Sequence, residues 1–268
     1  MQIKDKVVLV TGGANGIGKA LCERFSEERA RAVVVVDIEY DNAATVAQAI
    51  GGVPMAADVS KEADIQRMIA DTEQQFGHID LLCSNAGVLY LDLPDWSATS
   101  LDNTHWQKIW EINVMAHVYA ARAALPAMRA RGEGYFLNTV SAAGLLNQIG
   151  SAAYSTTKHA GIGFAESLAI THGDEGIKVS VLCPQAVATR MAGDLADGGP
   201  AGGDGVISTQ VVADCVVQGL ADETFLLLPH PDVATYFQRK SADYDRWLGG
   251  MRKLRRAHMP VMEETIKA

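Results

Sequence analysis

The amino-acid sequence predicts a doubly wound α/β fold: a mostly parallel sheet of seven strands with helices on both faces, built as a single domain over residues 1–268. Three observations point there. Short apolar runs recur along the chain, helix-length segments separate them, and several runs are continuous in Val, Leu or Ile instead of alternating. Continuous runs mark strands buried on both faces, as a parallel sheet under helices requires. Alternation at this rhythm, unbroken from end to end, builds one doubly wound unit.

The elements follow in order. Val7–Val10 is the first strand, and a glycine-rich turn leads from it into a helix at Gly18–Arg29. Four successive valines, Val33–Val36, form the second strand, with a helix at Ala43–Ile50 behind it. Met55–Ala57 precedes a helix at Glu62–Phe76. Ile79–Cys83 opens into a long connection, Gly87–Asn103, carrying Pro94 and Trp96. One helix is expected across His105–Arg131. Tyr135–Val140, a helix at Tyr154–Gly173 and the strand Val179–Cys183 come next. The stretch Gly193–Gly205 is rich in glycine around Pro200 and is not expected to be rigid on its own. It follows the carboxyl edge of the sheet, where open α/β folds bind ligands, so residues 190–208 are expected to form a mobile substrate lid. Gln210–Leu220 and Phe225–Leu228 complete the alternation. Residues 231–268 read as a C-terminal helical segment. Within it Arg246–Arg256 is amphipathic and basic, suited to covering an apolar surface and helping to close the pocket.

Composition narrows the function. The 268 residues are 48% hydrophobic and 21% charged, with a net charge of −9. An acidic chain argues against nucleic acid or an anionic membrane as partner. Cys22, Cys83, Cys183 and Cys215 form no C-x-x-C pair, and none stands at zinc spacing from a histidine; no metal is expected. Free thiols suit a cytoplasmic protein, and the charged start of the chain is expected to carry no signal peptide.

A dinucleotide site is written into the first two strand ends. Thr11-Gly12-Gly13-Ala14-Asn15-Gly16-Ile17-Gly18 lies between a strand and a helix. Its glycines remove Cβ atoms where the backbone must turn tightly and approach a pyrophosphate, and the helix N-terminus offers unpaired N–H donors. Asp37 ends the second strand, placed to accept hydrogen bonds from the adenosine ribose hydroxyls and to repel a 2′-phosphate. Ile38, Glu39 and Tyr40 follow it with no arginine beside them, so NAD is expected over NADP. Asp58 and Val59 close the third strand near the adenine. Asn85, Ala86 and Gly87 close the fourth, where small residues let the backbone lie against a ribose.

Tyr154 and Lys158 share one face of a helix. A free phenol, with a pKa near ~10, needs roughly 3–4 kcal/mol to act as a base near neutrality. A cation at ~4 Å offers about 4 kcal/mol at an effective dielectric of ~20. A lysine one turn away is therefore about sufficient. Ser141, thirteen residues earlier, completes the set.

These motifs, in this order and together with Asn113, Pro184 and Thr189, make the chain similar to the short-chain dehydrogenase/reductase family over essentially its whole length. The resemblance implies a Rossmann-like sheet, an Asn113–Ser141–Tyr154–Lys158 tetrad and hydride transfer between a nicotinamide and a carbinol carbon, in a homotetramer or dimer. It implies Tyr154 as the general acid/base, Lys158 lowering its pKa and binding the nicotinamide ribose, Ser141 holding the substrate oxygen, and Asn113 helping a water to link Lys158 with solvent. It assigns Thr189 to the carboxamide. The cofactor set so implied is Gly12, Asn15, Gly16, Ile17, Gly18, Asp37, Ile38, Asp58, Val59, Asn85, Ala86, Gly87, Tyr154, Lys158, Pro184, Val187, Thr189 and Met191. Two positions depart from the family pattern: Ser84 stands where an asparagine is usual, and Gln185 where a glycine commonly follows the proline.

Substrate contacts are expected from Ser141, Leu145, Gln148, Tyr154, Gln185 and Met191, with Val88, Leu89 and Leu146 around them. The set is mostly apolar and holds no arginine or lysine cluster, which points to an uncharged hydrophobic secondary alcohol or its ketone. Two alternatives stay open: epimerase-type chemistry on the same scaffold, and a non-catalytic dinucleotide-binding regulator. His159, beside Lys158, is expected to serve packing.

Overall fold

The described residues of the computed structural model are 1–93, 96–192 and 199–267. Pro94 and the 193–198 part of the expected lid lie outside them. Seven parallel strands form one sheet in the order β3-β2-β1-β4-β5-β6-β7. They are β1 (Val7–Thr11), β2 (Ala32–Asp37), β3 (Val53–Ala56), β4 (Leu81–Ser84), β5 (Gly134–Thr139), β6 (Ile177–Leu182) and β7 (Leu226–Leu227). The strand order reverses beside β1, so the crevice lies beyond the carboxyl ends of β1 and β4. Valines of β1 and β2 stand in direct register, from Val8 against Val33 to Val10 against Val35, and all are buried. Each such side chain contributes roughly 1.5–3 kcal/mol on burial.

Helices α1 (Gly16–Glu27), α2 (Tyr40–Ile50) and α8 (Thr209–Ala221) cover one face. Helices α3 (Glu62–Phe76), α5 (Ala116–Arg131) and α7 (Ala152–His172) cover the other, packed on Leu9, Leu82, Phe136 and Val181. The remaining helices are α4 (Asn103–Trp110), α6 (Ala143–Leu146), α9 (Asp232–Ala242) and α10 (Tyr244–Lys267). Among the described residues no helix is long and apolar enough to cross a membrane.

The single helix expected across His105–Arg131 is instead two. A π-helical turn, Glu111–Met115, separates α4 from α5. Such a turn inserts a residue into the helical ladder and often marks a functional site; here it contains Asn113. No periodicity argument detects it, because the apolar stripe continues through.

The long loop after β4 is tied to the start of α7. Asp92 N donates to Gly150 O at 2.8 Å and Ser151 Oγ to Tyr90 O at 2.5 Å. Trp96 is buried against Gly150, and Arg255 of α10 donates to the Trp96 carbonyl at 3.1 Å. The C-terminal segment therefore packs back on the mouth of the crevice, as its amphipathic pattern suggested.

Candidate active site

The glycine turn fixes the floor of the crevice. Gly12 has φ of 64°, and a Cβ there would stand 2.9 Å from Ala86 Cα. A Cβ on Gly18 would collide with the Gly12 carbonyl. Larger residues at either place would push the turn away from α1, whose first N–H groups are free to bind an anion. Thr11 Oγ1 accepts from Asn85 N at 3.0 Å and Ala86 N at 3.2 Å, while Asn85 Nδ2 donates to Thr11 O at 3.1 Å. The fourth-strand motif is thus a brace between β4 and β1.

Asp37 turns its carboxylate back on this loop: Oδ2 accepts from Ala14 N at 3.1 Å and Oδ1 from Glu39 N at 3.1 Å. Ile38 is 69% exposed beside it. No arginine follows Asp37 in sequence, but the fold brings one across. Arg190, from the segment after β6, donates to Asn15 Oδ1 at 3.2 Å and stands 4.0 Å from Glu39 Oε2. Burial pushes the Asp58 carboxyl up, but Ser60, through its hydroxyl and its amide, and Lys61 outweigh it and hold the group below its ordinary value.

Deeper in the crevice, α7 presents Tyr154 and Lys158, and the end of β5 leads to Ser141. Lys158 is buried; its Nζ lies 5.4 Å from the centre of the Tyr154 ring and donates to Thr139 O at 3.3 Å. Ser141 Oγ donates to Pro184 O at 3.3 Å and accepts from Ala143 N at 3.1 Å. Asn113 is held by the backbone of Val88, its Oδ1 accepting and its Nδ2 donating at 2.9 Å each, and Nδ2 also reaches Thr157 Oγ1 at 3.3 Å. A Cβ built on Gly87 would lie 3.2 Å from Asn113 Oδ1 and 3.5 Å from Lys158 Nζ, so these two side chains converge on one point.

Desolvation acts on both groups. The Tyr154 phenol is pushed above its ordinary value: burial is the largest cause, a hydrogen bond from Ser141 works against it, and Cys183 adds to it. Lys158 stands beside the ring, its Nζ 5.4 Å from the ring centre. Its own ammonium is lowered to about 8, again chiefly by burial. The simple Coulomb argument omitted the desolvation that both groups undergo together.

One cavity of about 1770 Å³ joins these parts. That exceeds the ~300–1,000 Å³ of ordinary small-ligand pockets and leaves room for a dinucleotide with a second molecule beside it. All the expected cofactor residues line it except Gly18, which lies behind the turn. Asn113 lies behind Gly87 and does not line it either. Thr139 Oγ1 and Gln185 Oε1 are buried polar atoms on its wall without protein partners among the described residues. The glycine cradle, the free helix N-terminus and these polar atoms fit an elongated anionic cofactor.

Of the expected substrate residues, Ser141, Gln148, Tyr154, Gln185 and Met191 line the cavity. Leu145 does not: it is buried, and its carbonyl accepts from Lys240 Nζ at 2.6 Å. The same lysine approaches His159 Nε2 at 3.3 Å, so His159 helps hold α9 in place. Two arginines outside the expected substrate set also reach the cavity. Arg239 of α9 and Arg246 of α10 line the cavity alongside Tyr236, Trp247, Met251 and Leu254. Their place in the site could not be read locally, since more than eighty residues separate them from Tyr154; the amphipathic pattern of Arg246–Arg256 was the only signal.

Comparisons with known proteins agree with this architecture. The family description "short chain dehydrogenase" matches residues 6–198. A 1-deoxy-11-beta-hydroxypentalenate dehydrogenase of Streptomyces exfoliatus is 34% identical, over 87% of this chain and 86% of its own. A meso-2,3-butanediol dehydrogenase of Serratia marcescens is 33% identical, over 71% of this chain and 75% of its own. A crystal structure of a short-chain dehydrogenase/reductase from Burkholderia phymatum in complex with NAD superposes with a TM-score of 0.80 at 25% identity, covering 91% of this chain and 96% of that one. The chain belongs to the short-chain dehydrogenase family. Its general activity is that of an NAD(P)-dependent oxidoreductase of alcohols or ketones.

Proposed function

We propose that the protein is an NAD-dependent dehydrogenase moving a hydride between the nicotinamide and a hydrophobic secondary alcohol or its ketone. The observation that carries this reading is the convergence of Ser141, Tyr154 and Lys158 on one wall of a cavity whose far end is the glycine turn. NAD, when bound, supplies the hydride acceptor and, in its oxidised form, a positive ring charge. Ser141 Oγ holds the substrate oxygen, and Tyr154 Oη takes its proton during oxidation or returns it during reduction. Lys158 stabilises the phenolate form and grips the nicotinamide ribose. Asn113, its side chain held by Val88, helps a water to link Lys158 with solvent. Asp37 at the ribose end supports NAD over NADP. A homotetramer or dimer is the assembly that goes with this reading, and light scattering measures it.

The test is a panel of secondary alcohols with NAD, followed at the NADH absorbance band. Arg239 and Arg246 put carboxylate-bearing alcohols on that panel beside neutral ones. Tyr154→Phe is expected to lower turnover by about 10²–10⁴-fold while NADH binding stays within a few-fold. Turnover retained in that variant would remove Tyr154 from its role.

A further inference from the structure

Beneath the site, two buried polar side chains take no part in it. His117 of α5 is 3% exposed with neither ring nitrogen partnered, and Asn138 of β5 is 2% exposed with Nδ2 unpartnered, both among the described residues. Such atoms are costly to leave unsatisfied, and native structures satisfy nearly all of them with protein or ordered water.

The topology brings these groups together. Leu82 and Phe136 pack in one layer with Ala116, Ala120 and Ala124 of α5. Ser84 and Asn138 lie two residues further along the same strands, hence on the same face, and are direct register partners. His117 belongs to the buried stripe of α5. The two elements also agree in height. Met128 of α5 contacts the position of Gly134 in β5. From there His117 lies ~16 Å back along the helix at 1.5 Å per residue, and Asn138 ~13 Å up the strand at 3.3 Å per residue.

Lys158 reaches the adjoining residue of β5, its Nζ donating to the carbonyl of Thr139, which follows Asn138. Its ammonium has three N–H donors, yet Thr139 O is its one acceptor among the described residues. His117 is driven down to about 3 by burial and, second, by the field of Lys158, so the imidazole stays neutral and keeps one acceptor nitrogen. Lys158 is the charged group whose field reaches it. Elsewhere around α5, Glu62 and Arg122 pair with each other, Glu111 is exposed, and β4 and β5 carry no charged side chain.

We propose that His117, Asn138 and Ser84 hold ordered water under α5, and that His117 is a positioning residue for Lys158, offering the buried ammonium an acceptor through that water. The inference rests on the reading of Tyr154 and Lys158 given above. With the acceptor in place the charged form of the lysine is favoured; without it, desolvation shifts the lysine towards its neutral form and weakens the cation beside the phenol.

The experiment follows the Lys158 side-chain nitrogen by ¹⁵N NMR across pH, in the wild type and in His117→Leu, His117→Gln and Asn138→Leu. The Lys158 midpoint is expected to fall by about one unit in His117→Leu and to recover in His117→Gln, which keeps an acceptor and a donor. Alcohol oxidation in His117→Leu then needs a correspondingly higher pH, with dinucleotide affinity within about twofold of the wild type. Should His117→Leu fail to fold, Asn138→Leu reads the same midpoint. An unmoved midpoint in the leucine variants, or a His117→Gln midpoint as low as that of His117→Leu, overturns the proposal. A midpoint that moves in a wild-type background that turns over no alcohol overturns the catalytic reading and leaves the water site standing.

Discussion

At the scale of single residues, the site is organised by desolvation as much as by charge. Lys158 and Tyr154 face each other as their spacing required, yet burial raises the phenol and lowers the ammonium. Four residues of separation dictate a shared helix face; they carry no information on how much water the fold removes. Asp37 shows the complementary case. Its place at a strand end was legible because the strand, the glycine turn and the spacing are all local. Arg190 was not, since its approach to Asn15 and Glu39 depends on how the segment after β6 returns across the crevice. Both residues line the cavity beside the glycine turn. Removing the carboxylate in Asp37→Ala leaves the arginine and is expected to shift the ratio of kcat/KM values towards NADP by about tenfold, or 1.4 kcal/mol. Steady-state kinetics with both cofactors measure this, and an unchanged ratio would mean that Asp37 does not read the ribose.

At the scale of elements, the glycine-turn end of the cavity and the end covered by α9 and α10 have different origins. β1, the glycine turn and α1 follow one another closely in a pattern set by strand burial and glycine geometry, so local sequence suffices there. The π-helical turn at Asn113 and the covering by α9 and α10 arise from packing between distant segments. On α10 the cavity-lining residues Arg246, Trp247, Gly250, Met251, Leu254 and His258 recur at helical spacing, so one face of that helix lines the cavity. Trp247 also packs on the core. Trp247→Ala is expected to raise KM for bulky alcohols about tenfold, a loss of about 1.4 kcal/mol, with little change for small alcohols and none in NADH affinity. A parallel loss for small and bulky substrates would show that α10 supports the fold in general and not the substrate wall.

At the scale of the whole molecule, stability carries the cost of its buried polar groups. His117 is neutral in the folded chain down to about pH 3, whereas an unfolded histidine titrates near 6.5. Between these values the unfolded state binds the extra proton, so stability present above pH 6.5 is lost as pH falls, by about 1.4 kcal/mol per unit from this group. Urea midpoints between pH 7 and pH 5 should therefore fall less steeply in His117→Gln than in the wild type. Identical slopes would mean that His117 finds an acid-stable arrangement in the native state.

The sequence by itself determined the parallel sheet, the glycine turn, the acidic strand end and the Tyr154–Lys158 helix face. All of these depend on residues within a few turns of one another, where backbone geometry and burial periodicity leave little choice. Tertiary structure alone decided the break at Asn113, the arrival of Arg190, Arg239 and Arg246 in the cavity, the withdrawal of Leu145 from it, and the burial of His117. Each depends on which distant surfaces meet and how much water their meeting expels, and neither quantity is encoded in spacing along the chain.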